Sequence, residues 1–253
     1  MSSEIRIEFT KENIDIYLKE VAKEYRKQVG KKMPAELILV GGASVLINYG
    51  FRNMTTDIDA LIKAASGMKD AINCVRDRHN LPNGWLNEDF KNTQSFTPKL
   101  EEFSVYYKTY SNVVNIRTVA AEYLIAMKLR SGRQYKSDMS DVLGILAEHE
   151  NRGTPIGMKQ IRKAVTDLYG EWSELPGSSQ TFIENVMKNG RFIELYEIIT
   201  KDEKETKDLL IQFEADYPGT AKEANIDDIA GNLREKANKA AILAQLTERK
   251  KRP

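Results

Sequence analysis

The chain is short of the features that mark several protein classes. It has one cysteine, Cys74, in 253 residues, which excludes an internal disulfide framework and fits a reducing cytoplasm. Its two histidines, His79 and His149, sit in no metal-ligand spacing and read as surface positions. No apolar run approaches the ~20 residues that span a bilayer. The opening MSSEIRIEFTKEN lacks the basic–apolar–small order of a secretory signal. These absences point to a cytoplasmic protein with no membrane partner. An excess of charge is missing too: 38 basic and 37 acidic residues give a net charge of +1. No global field therefore attracts nucleic acid, although a local basic patch is compatible with that balance. Internal repeats and low-complexity segments are also lacking. What remains is 41% hydrophobic and 30% charged, enough for a sizeable globular core.

Apolar periodicity organises the rest. Residues 10 to about 29 predict an amphipathic helix, capped by Thr10, with Ile14, Tyr17, Leu18, Val21 and Tyr25 at helical spacing. AELILVGG from Ala35 reads as a short buried strand, Ala43–Tyr49 as a helix, Asp57–Ile62 as a second strand and residues 67–78 as another helix. In that last segment Cys74, beside Ile72 and Val75, is expected to be a small core residue. NLPNGWLNEDF, from Asn80, is rich in turn formers, with Trp85 expected to fill the space beneath it. FSVYYKTY and NVVNIRTV read as strands with a tight connection, their tyrosines 106, 107 and 110 packing on the sheet. From Ala120 the pattern turns helical, broken near Ser131-Gly132, with Ser137 as an N-cap. Helices follow over Met158–Tyr169, Ser179–Asn189, Phe192–Phe213 and Ile226–Leu246. The fold class is α+β, with an α/β part over residues 1–151 and an all-helical part over 152–253. The tail ERKKRP reads as a solvated end.

The chemistry concentrates between Leu37 and Ile62. In a strand, residues two apart share a face, so Asp57 and Asp59 project their carboxylates together. Two such carboxylates repel unless a divalent cation sits between them. Gly41 and Gly42 end the preceding strand, where backbone N–H groups and a helix N-terminus can meet a phosphate. Ser44 would add a hydroxyl donor. A metal site facing a phosphate cradle points to metal-dependent phosphoryl or nucleotidyl transfer. Magnesium, or manganese, suits a few carboxylates completed by phosphate oxygens and water.

These residues carry a family resemblance. GGASVLINYGFRNMTTDID, with its Gly-Gly, short helix and Asp-x-Asp, resembles the signature of the nucleotidyltransferase superfamily, the polymerase-beta-like fold. It is most similar to a minimal branch of abortive-infection and toxin–antitoxin (AbiEii-like) nucleotidyltransferases. The resemblance implies a small mixed sheet flanked by helices and then an all-helical domain. It implies transfer of NMP from an NTP to a hydroxyl of RNA, particularly tRNA, or of protein, and a cognate antitoxin or other partner protein. Asp57 and Asp59 would hold metal. Gly41, Gly42, Ser44 and Thr56 would lie at the nucleotide, with Thr55 beside them, and Arg52 would meet a phosphate there or pair with a carboxylate and order the loop. MKLRSGRQYKSDMSD resembles the family's Lys-Leu-x-x-x-Arg…Asp-x-x-Asp block. It implies Lys128 and Arg133 at the phosphates, with Asp138 and Asp141 near the active centre.

Many members of the superfamily place a third carboxylate on a later strand, and FSVYYKTY and NVVNIRTV contain no acid. The base would then come from Asp138 or Asp141, or metal and positioning would suffice, or the site would be catalytically silent. Glu88 and Asp89 are a further acidic pair if their loop folds over the metal site. A binding module of the same fold is the competing expectation. An antibiotic adenylyltransferase would need an acidic pocket for a cationic drug, of which the nearly neutral helical half gives no sign. The C-terminal helices, with Ile226, Ile229, Leu233, Ala237, Ala240 and Leu243 on one stripe, would close a cleft, pair two copies or dock a partner.

Overall fold

The structure is a computed structural model that describes residues 8–133, 136–222 and 225–237. ERKKRP and the last turns of the expected final helix, with Ala240 and Leu243, lie outside them. Five strands form one mixed sheet in the order β3-β2-β1-β5-β4. They are β1 (Ala35–Leu39), β2 (Ile58–Lys63), β3 (Leu86–Asn87), β4 (Ser104–Tyr110) and β5 (Val114–Val119). Strand β1 runs antiparallel to β2 and parallel to β5, while β3 lies parallel to β2. The nearly unbroken apolar run of β1 follows from its central place, because both of its faces are covered. Leu37 and Leu39 enter one core with Ile14, Leu18 and Val75. Ile38 enters the other with Leu124, Leu143 and Ile161.

The first core lies under α1 (Lys11–Val29) and α3 (Gly67–His79). Thr10 caps α1 reciprocally with Asn13, as a capping box. Trp85 is 1% exposed and stacks on Phe9, so it fills the core beneath its loop as expected. Cys74 does not: it is exposed. The buried stripe of α3 runs through Met68, Ala71 and Val75, and Cys74 precedes Val75 by one residue, a rotation of about 100° that takes it off the stripe. The two histidines are half-buried rather than at the surface. His79 is paired with Glu20, and His149 is hydrogen-bonded to the Tyr49 hydroxyl.

The second core joins the sheet to α4 (Ala121–Ser131), α5 (Asp138–Asn151), α6 (Met158–Tyr169) and α7 (Gly177–Asn189). The 25-residue α8 (Phe192–Asp216) packs along α5, and residues 226–237 are again helical. This core is continuous across residue 151, since Leu124 and Leu143 share it with Ile161 and Ile183. Strands β4 and β5 meet through Ser111 and Asn112, both at positive φ, the pattern of a two-residue hairpin turn. A bulge between Tyr106 and Lys108 lets Tyr107 and Tyr110 both donate to Asp15. Tyr106 on this edge strand is 62% exposed instead of packed. Among the described residues, no helix is long and apolar enough to cross a membrane.

Candidate active site

Alternation along β2 decides where its acid points. Ile58 and Ala60 belong to the core under α1 and α3, and Leu61 to the core under α4. Asp59 therefore shares the face of Leu61 and is directed toward α4 and α5. The strand begins at Ile58, so Asp57 occupies the turn before it rather than the strand expected from the sequence. Both acids line a cleft of about 1650 Å³. Burial, and then the charge of Asp57, push the Asp59 carboxyl up to about 6, against the pull of Lys136 and Arg133.

The expected glycine pair stands opposite. It opens α2 (Gly41–Asn48), two residues earlier than the helix read from the sequence. Gly41 has a φ of +53°, and a Cβ there would lie 3.6 Å from Asp59 Oδ2. A Cβ on Gly42 would lie 2.7 Å from Thr55 Oγ1 and 3.0 Å from an Arg52 nitrogen. Glycine thus lets the helix end, the loop 50–57 and the acid of β2 converge. No side chain caps α2, so its first N–H groups stay available to an anion. Thr55, not Thr56, is the threonine against the glycines. Thr56 is exposed on the cleft wall. Ser44 is fully buried and its hydroxyl has no partner. It follows Ala43 into the packed face of α2 and does not line the cleft.

The block between α4 and α5 forms an ion-pair network. Lys128 is 7% exposed, and its Nζ donates to Asp138 at 2.9 Å and lies 2.7 Å from Asp141. Arg133 donates to Asp138 at 2.9 Å, and Arg52 to Asp141 at 2.5 Å. Burial alone would lower the Lys128 pKa, but the two carboxylates outweigh it and raise it. Burial would likewise raise that of Asp138, yet Lys128 and Arg133 hold it well below the carboxylate range. Asp138 is wholly enclosed and holds the two cations at the wall of the cleft. Ser137 sits at the N-cap of α5 without a side-chain bond. Glu203 of α8 supplies the cap, accepting from Ser140 N at 3.1 Å and Ser140 Oγ at 2.5 Å.

The sheet also brings in an acid from the turn-rich loop. Strand β3 pairs Asn87 with Asp59. Asp89 follows and lines a smaller recess together with Gly41, Asp57, Asp59 and Lys136. Glu88 turns away and accepts the Ile62 N–H. At two residues, β3 is too short to show a period, so only the acids of LNEDF after Trp85 hinted at it.

Residues 17–148, just over half of the chain, match a family described as "Nucleotidyltransferase of unknown function (DUF6036)". The chain belongs to this family. The five-stranded sheet and flanking helices are consistent with the nucleotidyltransferase fold and an appended helical region. The match takes in Gly41, Gly42, Asp57, Asp59, Lys128, Asp138 and Asp141. No functionally curated protein and no solved structure matches the chain.

Proposed function

We propose that this DUF6036 nucleotidyltransferase transfers NMP from an NTP to a hydroxyl acceptor in the cleft between β2 and α5. The observation that carries the reading is the convergence of Asp57 and Asp59 on the uncapped, glycine-led end of α2. Mg²⁺ or Mn²⁺ fits this donor set: hard carboxylate oxygens, one of them 3.6 Å from the open Cβ position of Gly41. Asp57 and Asp59 would hold it. Bound there, the ion would supply charge stabilisation to the triphosphate and the attacking oxygen.

The chain's residues do the rest. Gly41 and Gly42 admit the phosphates to the α2 N–H groups. The acceptor oxygen bonds to the α-phosphorus as the bond to the bridging β-phosphate oxygen breaks, and pyrophosphate leaves. Asp89 orients the acceptor hydroxyl and receives its proton. Lys128, Asp138 and Asp141 act as positioning residues, fixing Arg52 and Arg133 around the cleft. Most of the acceleration in such a site comes from placement and electrostatics.

The AbiEii-like form of the motifs supports RNA, particularly tRNA, or a protein hydroxyl as the acceptor. It also supports a cytoplasmic toxin or phage-defence role with a cognate antitoxin. That support is analogy at family level. The test is transfer of label from each of four α-³²P NTPs, with Mg²⁺ or Mn²⁺, into total RNA and cell protein. Label with wild type and none with the Asp57→Ala/Asp59→Ala double variant is the expected result. One specific observation favours a catalytically silent nucleotide- or partner-binding module instead: strands β4 and β5, SVYYKTY and VNIRTV, carry no acid. NTP binding without label transfer to any acceptor would establish that reading.

A further inference from the structure

We propose that Lys136, rather than the motif lysine Lys128, is the lysine that contacts the β- and γ-phosphates of the bound nucleotide. The inference rests on the nucleotide-site reading above and names a residue that the motif does not single out. Lys128 is already committed. Its ammonium lies against two carboxylates, is almost wholly buried, and is needed there because either acid alone would be left charged and under-compensated. Drawing it out to a phosphate would break both pairs.

Lys136 differs in each respect. It is exposed and makes no ion pair among the described residues, while lining, as Lys128 does, both the main cleft and the recess beside Asp59. Gly41 at the end of α2 borders the same recess, with Asp57 and Asp59. Lys136 thus shares the recess with the two proposed metal-holding acids; partial desolvation and then the charge of Arg133 lower its pKa, against the pull of Asp57, Asp138 and Asp59. A nucleoside triphosphate brings about four negative charges, of which one divalent cation offsets two. The residual anion needs cationic donors beside the metal. A flexible ammonium with three N–H groups suits a phosphate chain as a point charge. The neighbouring Arg133, held by Asp138, lines the same recess and adds positive charge there.

The proposal predicts dependence on the number of phosphates. Equilibrium binding would be measured for the NTP that binds wild type best, and for its di- and monophosphate, each with Mg²⁺. Lys136→Gln should weaken NTP and NDP at least tenfold while leaving NMP within about twofold. Lys136→Arg should recover most of the loss. An exposed, unpaired lysine should be replaced without a change in melting temperature, which separates the effect from misfolding. Wild-type NTP affinity in Lys136→Gln, or equal weakening of NTP and NMP, would overturn the inference and leave the nucleotide reading intact. Failure of wild type to bind any of the four NTPs would sink that reading, and this inference with it.

Discussion

The guanidinium of Arg52 donates to the carboxylate of Asp141 at 2.5 Å, across 89 positions of sequence. This contact ties the loop that leads into Asp57 to the first turn of α5. Asp141 shares its charge with Lys128, and Lys128 with Asp138. The loop is held from other sides as well. Phe9 and Thr55 exchange backbone bonds, and the Tyr196 hydroxyl donates to the Phe51 carbonyl. The absent side chain of Gly144 gives the Phe51 ring its seat, since a Cβ there would lie 2.5 Å from that ring.

The Arg52–Asp141 pair should therefore be worth more than a surface ion pair. Asp141→Asn leaves Lys128 with one acid and Arg52 with none, and should cost about 2–4 kcal/mol of folding stability. Arg52→Ala should cost roughly 2 kcal/mol, with a coupling energy of at least about 1 kcal/mol in the double variant. Urea denaturation of the four proteins of the cycle measures it. Additive losses would mean the pair is incidental.

Gly42→Ala should damage the nucleotide site more than the fold. Its methyl group would meet Thr55 and Arg52 at 2.7 and 3.0 Å, forcing the loop away from α2. A stability loss of about 1–3 kcal/mol, typical of overpacking, with NTP affinity reduced at least tenfold is the expected pattern, read by thermal melts and nucleotide titration. Unchanged affinity would show that the close approach serves packing alone.

Asp59 makes stability depend on pH in a stated direction. Its carboxyl is raised from 3.8 to about 6 in the folded protein, so the native state holds that proton more tightly than the unfolded chain. The associated stability is present below about 4 and is lost as pH rises through about 6. Asp59→Asn should thus stabilise the metal-free protein at pH 7.5, by at most about 3 kcal/mol, and have little effect near pH 4. Added Mg²⁺ should raise the melting temperature of wild type more at pH 7.5 than at pH 5, and leave Asp59→Asn unmoved.

Much of this was legible beforehand. The strand–helix–strand unit around Gly41 and Asp59 is written in local signals: a continuous apolar strand, paired glycines, alternating acids. Residues 158–169 form the expected helix because that helix is short, amphipathic and bounded by glycines. What stayed hidden depends on contacts distant in sequence. The commitment of Lys128 to Asp138 and Asp141 requires the packing angle of α4 on α5. Asp89 reaches the recess only because a two-residue strand joins β2, and Ser44 looked like a donor because one helical turn does not reveal which face is buried.

Glu203 illustrates the same limit and offers a clean check. It sits in the middle of a long charged helix, where sequence gives no sign of a cap on another helix. Burial pushes its carboxyl up to about 7, against the bonds from Ser140. The stability tied to that proton is present below about 4.5 and is lost as pH rises through about 7. Glu203→Gln keeps an acceptor for Ser140 and removes the titration. It should exceed wild type in stability at pH 8 by about 1–3 kcal/mol and match or fall below it at pH 5. Parallel curves for the two proteins across that range would contradict the assignment.

Asp57 and Asp59 are proposed to hold a divalent ion against nucleotide phosphates at the end of α2. Electron paramagnetic resonance of Mn²⁺, titrated with protein in the presence of a non-hydrolysable NTP analogue, tests it most directly. Bound Mn²⁺ with wild type, dependent on the analogue and lost in Asp57→Ala and Asp59→Ala variants that still fold, is the predicted result. Equal Mn²⁺ binding in wild type and both variants would contradict it.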